Sequence, residues 1–321
     1  MTVAADVVTV AETHRAELLA YCYRMTGSLH DAEDLVQETL LRAWRAADSY
    51  DPQRASIRTW LYRIATNVCL TALKSAERRA LPADLSQPNL YTAVDGLPSR
   101  PELPWLEPFP DSLLEGGDPA AVITARESVR LAFIAALQHL SPMQRAVLIL
   151  RDVLALRAAE VAALLGTSTA GVNSALQRAR AQLAAAGPSD GLPEPSDADK
   201  QDLLKRYVSA FESLDIEALR QLLREDALLQ MPPFAAWFRG PDAIATFLAS
   251  IFARGGEFRM LPTNANGRDA LGSYLRRDTP DWRANNLHVL TLSENGIARM
   301  DLFHRSELFP SFGLPPAIES E

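Results

Sequence analysis

The sequence predicts a multidomain fold class, two all-α blocks followed by an α+β module, and three observations carry that expectation. Glu160 to Arg180 has the spacing of two short helices meeting at a glycine turn. Proline-bearing acidic stretches interrupt the chain before and after that segment. Beyond Asp197, helical periodicity gives way to short apolar runs separated by turn residues. The division is a helical block over 8–82, a linker over 83–119, a helix-turn-helix block over 120–187, a second linker over 188–196 and the α+β module over 197–318. A chain of 321 residues has room for two or three such units.

In the helix-turn-helix, Ala162 is small enough to let two helices cross and Gly166 suits a left-handed turn between them. Val172, Leu176, Ala179 and Leu183 then recur at helical spacing as the inner stripe. Thr169, Asn173, Ser174, Gln177, Arg178 and Arg180 are left outside, where such side chains read base edges and grip phosphates. An ordinary alanine-rich hairpin would show similar spacing, but not this charge. Residues 120–187 carry seven arginines against three acids, inside a chain of formal net charge −8. The helix before it is marked by Ser141 as N-cap, Pro142 at the first helical position and Gln144 as the capping-box partner.

In the first block, Val36, Leu40, Ala43, Trp44 and Ala47 mark the buried stripe of a helix that begins near Asp31, with Asp31, Glu33 and Asp34 in its first turn. A turn at Asp48 to Pro52 ends it, and a second helix follows with Ile57, Leu61, Ile64 and Val68 inward. At about 100° per residue, Arg63, Asn67, Lys74 and Arg78 fall within an arc of roughly 60° that also holds Trp60. Alone, that stripe reads equally as a solvated face. Beside a helix-turn-helix it reads as a track for a single strand, basic groups on the backbone and an aromatic under the bases.

The acidic surplus sits elsewhere. Residues 81–119 hold seven acids and one base, and 188–321 hold twenty acids and fourteen bases. The first linker nonetheless contains Leu103-Pro-Trp105-Leu-Glu-Pro-Phe109-Pro-Asp111, too apolar for a spacer and expected to dock on a neighbouring groove. Cys22 and Cys69 lack metal-ligand or CxxC spacing and read as reduced, buried thiols, so no metal site is expected. No leader pattern or membrane-length apolar run is visible, which points to a cytoplasmic protein without membrane partners.

In the last module a helix carrying Leu203, Leu204, Tyr207, Val208 and Phe211 precedes a shorter one ending near Leu223. A strand at Ala227–Met231, a helix from Pro241 to about Phe252 and four later strand-like runs suggest helices first and an antiparallel sheet after them. Trp237, Phe247, Tyr274, Asp301 and His304 are candidates for a pocket that could hold an unknown small ligand. Asp301 alternates with Met300 and Leu302 and reads as a solvated sheet-face carboxylate, and His304 as a structural histidine. Neither catalysis nor a cofactor is expected.

Taken together, Tyr23 to Trp44, Trp60 to Asn67 and residues 126–183 resemble regions 2 and 4 of an extracytoplasmic-function sigma factor of bacterial RNA polymerase. The aromatic linker and residues 197–314 resemble the SnoaL-like extension of its sigma-G-type branch. The resemblance implies a SnoaL/NTF2-like cone and a promoter-specificity factor that partners core RNA polymerase and promoter DNA. It implies that Asp34, Gln37, Glu38 and Arg42 dock on the polymerase clamp coiled coil, with the flap as a further contact. The loop Tyr50 to Ser56, including Arg54, would hold a base flipped from the −10 element, with Trp60, Arg63, Asn67, Lys74 and Arg78 along the melted strand. The helix from Thr169 to Arg180 would enter the major groove at the −35 element. The extension would replace a separate anti-sigma protein.

Overall fold

The computed structural model describes residues 9–74, 76–88, 96–114, 125–186, 193–277 and 280–319. Pro119 and most of the second linker therefore lie outside the described residues. The chain forms two compact units, one combining Met1–Arg79 with Leu113–Pro188, the other combining Ala80–Ser112 with Ser189–Glu321.

The first unit is helical. Helix α1 (Arg15–Thr26) ends at Gly27, whose φ of +73° is the left-handed conformation that glycine adopts without strain. Helix α2 (Leu29–Arg45) starts two residues earlier than its acids suggest, because the Ser28 hydroxyl accepts the Asp31 N–H at 3.1 Å. Helix α3 (Ile57–Ala72) is capped the same way by Ser56. The three pack around Tyr21, Tyr62, Leu61 and Met25, with the tyrosine rings edge-to-face at 5.3 Å and the Tyr21 and Thr66 hydroxyls hydrogen-bonded at 2.7 Å. Cys22 and Cys69 are free, buried thiols whose sulfurs stand 3.7 Å apart.

Helix α3 stops short of the basic stripe. Leu73 caps it, Lys74 lies in the following turn and Arg78 is in irregular chain. The single arc of four polar residues is thus corrected: only Arg63 and Asn67 share the helix with Trp60. Two bonds draw the chain off the helix axis, Arg79 to Asp31 at 2.5 Å and Arg78 to His139 Nε2 at 2.8 Å.

The second helical set comprises α4 (Leu131–Gln138), α5 (Pro142–Leu148) running into a π-turn at Ile149–Val153, α6 (Ala158–Leu165) and α7 (Thr169–Ala186). Ser141 and Gln144 form the capping box, and Gly166, at φ +64°, makes the turn between α6 and α7. Two buried arginines join this set to the first. Arg24 donates to the Ser128 hydroxyl at 2.7 and 3.1 Å, and Arg145 donates to the carbonyl of Met25 and to Gln138 Oε1 at 2.8 Å. Burial pulls each guanidinium down to about 10, so both stay cationic at neutral pH.

The second unit places α8 (Asp197–Glu212), α9 (Ile216–Leu222) and α10 (Pro241–Phe252) against a sheet of order β2-β1-β6-β5-β4-β3. Its strands are β1 (Leu223–Gln230), β2 (Trp237–Arg239), β3 (Glu257–Ala265), β4 (Arg268–Arg276), β5 (Trp282–Ser293) and β6 (Gly296–Phe303), and a short β7 (Ala317–Ile318) pairs with β5. The sheet is mixed rather than antiparallel throughout, because β1 runs parallel to β6. Phe211, Phe247, Phe238, Leu290 and Met300 belong to one core cluster between helices and sheet. Gly272 leaves room for the short helix at Ser306–Phe312 and the chain just after it, since a Cβ there would meet Leu314 and Phe309 side chains at 2.5 and 3.1 Å.

The aromatic linker is part of this unit and docks as expected. Trp105, Leu106 and Phe109 are buried. The strap is tied along its length: Ala83 N–H to Gln230 Oε1 at 3.2 Å, Arg100 N–H to Pro233 O and Ala235 N–H to Pro98 O, both at 2.9 Å, and Arg305 to Glu107 at 3.2 Å. At its end Asn266, buried in a left-handed conformation at φ +55°, exchanges two 2.8 Å bonds with the backbone of Phe109. Asn266→Gly keeps that conformation and deletes the side-chain acceptor, so it should cost about 1–2 kcal/mol. Faster amide hydrogen exchange at Phe109 is the expected sign, and unchanged protection would show that the bond holds nothing.

Candidate nucleic-acid interface

Loop and helix geometry bring five of the expected −10 residues to one place. Tyr50, Arg54, Ser56, Trp60 and Arg63 all line a cavity of about 730 Å³, with Ser49, Asp51, Ala55 and Thr59 between them. The turn after α2 positions Tyr50, whose hydroxyl donates to Ala55 O at 3.2 Å and closes the loop into a fixed shape. Its ring stands 5.1 Å from that of Trp60, tilted by 45°, giving two half-exposed aromatic surfaces. Arg63 is one turn beyond Thr59 on α3, and Arg54 projects from the loop. Planar surfaces beside guanidinium groups can hold a base and its phosphate together. Asn67 is exposed one turn further along α3, while Lys74 and Arg78 are exposed but past the helix end and outside the cavity.

The far wall of the cavity was not foreseen. It is Glu160, Ala163 and Leu164 of α6, so the first helix of the helix-turn-helix faces the loop within this unit. No local pattern reports that contact, which joins residues about a hundred positions apart.

All six outward residues of α7, Thr169, Asn173, Ser174, Gln177, Arg178 and Arg180, are exposed. Their faces are pre-ordered by short contacts: Arg178 donates to the Ser174 hydroxyl at 2.6 Å, and Arg180 makes a two-pronged pair with Asp152 at 2.7 and 2.8 Å. Val172, Leu176 and Ala179 are buried beneath them.

On α2, Asp34, Gln37 and Arg42 are exposed and Glu38 half-buried, with Arg42 paired to Glu38 at 2.6 Å. Trp44 does not join the buried stripe. It is 57% exposed, and Leu41 beside it is 39% exposed. Trp44 lies about 80° round the helix from Val36, at the stripe's edge, and Leu41 about 140°. The two therefore form an exposed apolar patch next to Gln37 and Asp34, although the stripe places Trp44 with the core residues.

The candidate pocket of the second unit does not assemble. Phe247 stacks on Phe238 at 4.2 Å inside the core, whereas Tyr274 packs on Phe309 and donates to Pro315 O. Trp237 donates to Ser86 O in the strap. Asp301 is buried, not solvated: Gln230 Nε2 and Arg299 Nε hold its Oδ1 at 2.5 and 3.0 Å. The alternation was read correctly, but the second face of the sheet is covered too. His304 belongs to a polar chain that the sequence did not show. The Tyr207 hydroxyl bonds His288 Nδ1 at 2.8 Å, His288 Nε2 bonds Asn286 Oδ1 at 2.7 Å, and Asn286 Nδ2 bonds His304 Nε2 at 3.3 Å. Desolvation pulls His288 down to about 3 and His304 to about 4. Among the described residues no cluster of His, Cys, Asp or Glu could hold a metal, and no helix is long and apolar enough to cross a membrane.

Comparison with known proteins agrees with this layout. The family model for sigma-70 region 2 matches residues 10–79, that for sigma-70 region 4 matches 130–183, and that for the SnoaL-like domain matches 204–300. The chain is 49% identical over 311 residues to the ECF RNA polymerase sigma factor SigG of Mycobacterium tuberculosis, covering 96% of this chain and 83% of the relative. It belongs to the extracytoplasmic-function (ECF) sigma factor family. SigJ of the same organism is 31% identical over 257 residues, covering 78% of this chain and 74% of the relative. The crystal structure of Mycobacterium tuberculosis SigJ superposes with a TM-score of 0.62 at 25% identity, covering 96% of this chain and 99% of that one. In this ECF sigma factor α3 thus lies in region 2 and α6 and most of α7 in region 4, the cavity is lined by both regions, and the polar chain runs from Tyr207 within the SnoaL-like match to His304 just past it.

Proposed function

We propose that this ECF sigma factor binds core RNA polymerase and directs initiation at promoters carrying matched −35 and −10 elements. The exposed face of α2, with Asp34, Gln37, Glu38 and Arg42 around the Leu41 and Trp44 patch, takes the polymerase clamp. The cavity takes a base extruded from the −10 strand, and Arg63, Asn67 and Lys74 follow its backbone. Helix α7 reads the −35 duplex. The observation that carries the reading is the convergence of Tyr50, Arg54, Ser56, Trp60 and Arg63 on one cavity. Extruding a base costs a few kcal/mol, and an aromatic pocket with flanking cations is the arrangement that offsets it.

The SnoaL-like module acts in this reading by holding the linker rather than by chemistry, because Asp301 is already committed to Gln230 and Arg299. A tethered module works at high effective concentration, so no separate anti-sigma protein is needed. Run-off transcription with purified core polymerase tests the whole: a promoter-specific product is expected, and its absence with both full-length and tail-deleted protein would refute the assignment.

Individual side chains separate further. Asn173→Ala should weaken the matched −35 site by about 1–3 kcal/mol and relax preference at one base pair. Arg54→Gln should instead weaken all promoters alike and lower the salt dependence of binding by about one unit of slope. Competition binding at two salt concentrations distinguishes these outcomes, and base-specific loss in Arg54→Gln would contradict the proposed division of labour.

A further inference from the structure

The cavity of the proposed strand site is lined by α6 as well as by region 2, and that second lining suggests a second occupant. We propose that, in the closed arrangement, the cavity binds a free mononucleotide, its base against Trp60 and its phosphate on Arg54 and Arg63, with α6 as the opposite wall. The inference rests on reading loop 50–56 and α3 as the strand site, and adds a competitor for it.

Three features converge. The volume, about 730 Å³, lies within the range of small-ligand sites, roughly 300–1,000 Å³. Arg54 and Arg63 line it without an ion pair or side-chain hydrogen bond among the described residues. The N-terminus of the 16-residue helix α3, capped by Ser56, opens on the same space through Ser56 and Thr59. Cations, a helix dipole and an aromatic pair at 5.1 Å form the recognition set for one planar base with one phosphate.

The acids present offset it only in part: Asp51 keeps one negative charge against two arginines, and Glu160 is already paired with Arg157. Glu160 is held by the Arg157 N–H at 2.7 Å and its guanidinium at 3.0 Å, and Asp51 accepts the Gln53 N–H at 2.9 Å. A polynucleotide needs an exit for the chain on both sides of the bound unit, and α6 takes up part of the lining of this cavity. A mononucleotide has no flanking phosphates and fits while α6 is in place. It would therefore favour the closed unit and oppose strand capture.

The test uses the full chain and ligand-observed NMR with the eight common ribo- and deoxynucleoside monophosphates, with inorganic phosphate and the free nucleosides as controls. At least one monophosphate should bind saturably at one site, with phosphate or nucleoside alone at least about tenfold weaker. Trp60→Ala and Arg63→Gln should each weaken it about tenfold or more. Ala163→Trp, on an exposed position of α6, should block it by filling the cavity from the other wall. No binding up to millimolar nucleotide, or binding indifferent to Ala163→Trp, overturns the proposal. Run-off transcription by the wild-type chain separates the two readings: promoter-directed product without nucleotide binding refutes this inference alone, and nucleotide binding without such product refutes the promoter reading alone.

Discussion

Arg145→Met is expected to destabilise the helical unit by about 3–5 kcal/mol. The guanidinium sits 4% exposed and donates to the carbonyls of Met25, Gln138 and Leu140 and to Gln138 Oε1. No carboxylate is among those partners: the two terminal nitrogens are held by oriented neutral dipoles, while Nε is buried with no hydrogen-bond partner. Methionine keeps much of the volume and relieves the desolvation of the charge, which offsets part of the loss. It leaves three buried carbonyls facing a thioether, at a cost of about 1–3 kcal/mol each. Since the Met25 contact joins region 2 to region 4, denaturant unfolding should also separate into two steps. A single transition at the wild-type midpoint would show that the arginine does not weld the halves.

The second large effect is on pH. His288 and His304 are held neutral by burial, down to about 3 and about 4, against an unfolded value near 6.5. Below pH 6.5 the unfolded chain takes up protons that the folded SnoaL-like module refuses, so stability present at neutral pH is lost as pH falls toward 4. The slope should approach about 1.4 kcal/mol per pH unit for each histidine, hence roughly 2–3 kcal/mol between pH 6 and 5. The hydrogen bonds accommodate the neutral ring, with Tyr207 donating to Nδ1 and Nε2–H donating to Asn286, and no carboxylate is among these partners to favour the cation. Hydrogen exchange of β5 and β6 amides across that range measures it. His288→Gln should halve the slope, and a flat profile in the wild type would exclude the mechanism.

What the sequence revealed and what it hid follow from the range of the interactions involved. Helix α10 begins at Pro241 and ends at Phe252 as read, because a proline start and a run of inward apolar residues are local facts. The α6–α7 turn is equally local, written by Gly166. The end of α3 is not: Leu73 and Lys74 are good helix formers, and it is Arg78 and Arg79, bonded to distant residues, that draw the chain away. Trp44 is exposed because burial at the edge of a stripe is decided by neighbours on other helices, not by angle. Burial of Asp301 depends on Gln230, seventy-one positions earlier, and the parallel β1–β6 pairing that places it there has no signature in either strand. The candidate site divides the same way. Its region 2 wall is contiguous between Ser49 and Arg63 and was legible, while the α6 wall was not.

The described residues of 80–112 are tied down within the C-terminal unit, yet the chain on either side of that segment belongs to the helical one. Untied, a segment of about 30 residues behaves as a coil averaging roughly 30 Å and reaching about 100 Å when taut. Duplex DNA advances about 3.4 Å per base pair. On the proposed reading, releasing this strap together with the buried arginine contacts would widen the range of spacers accepted between the two recognition elements, so that promoter architecture would be set in part by a segment remote from both.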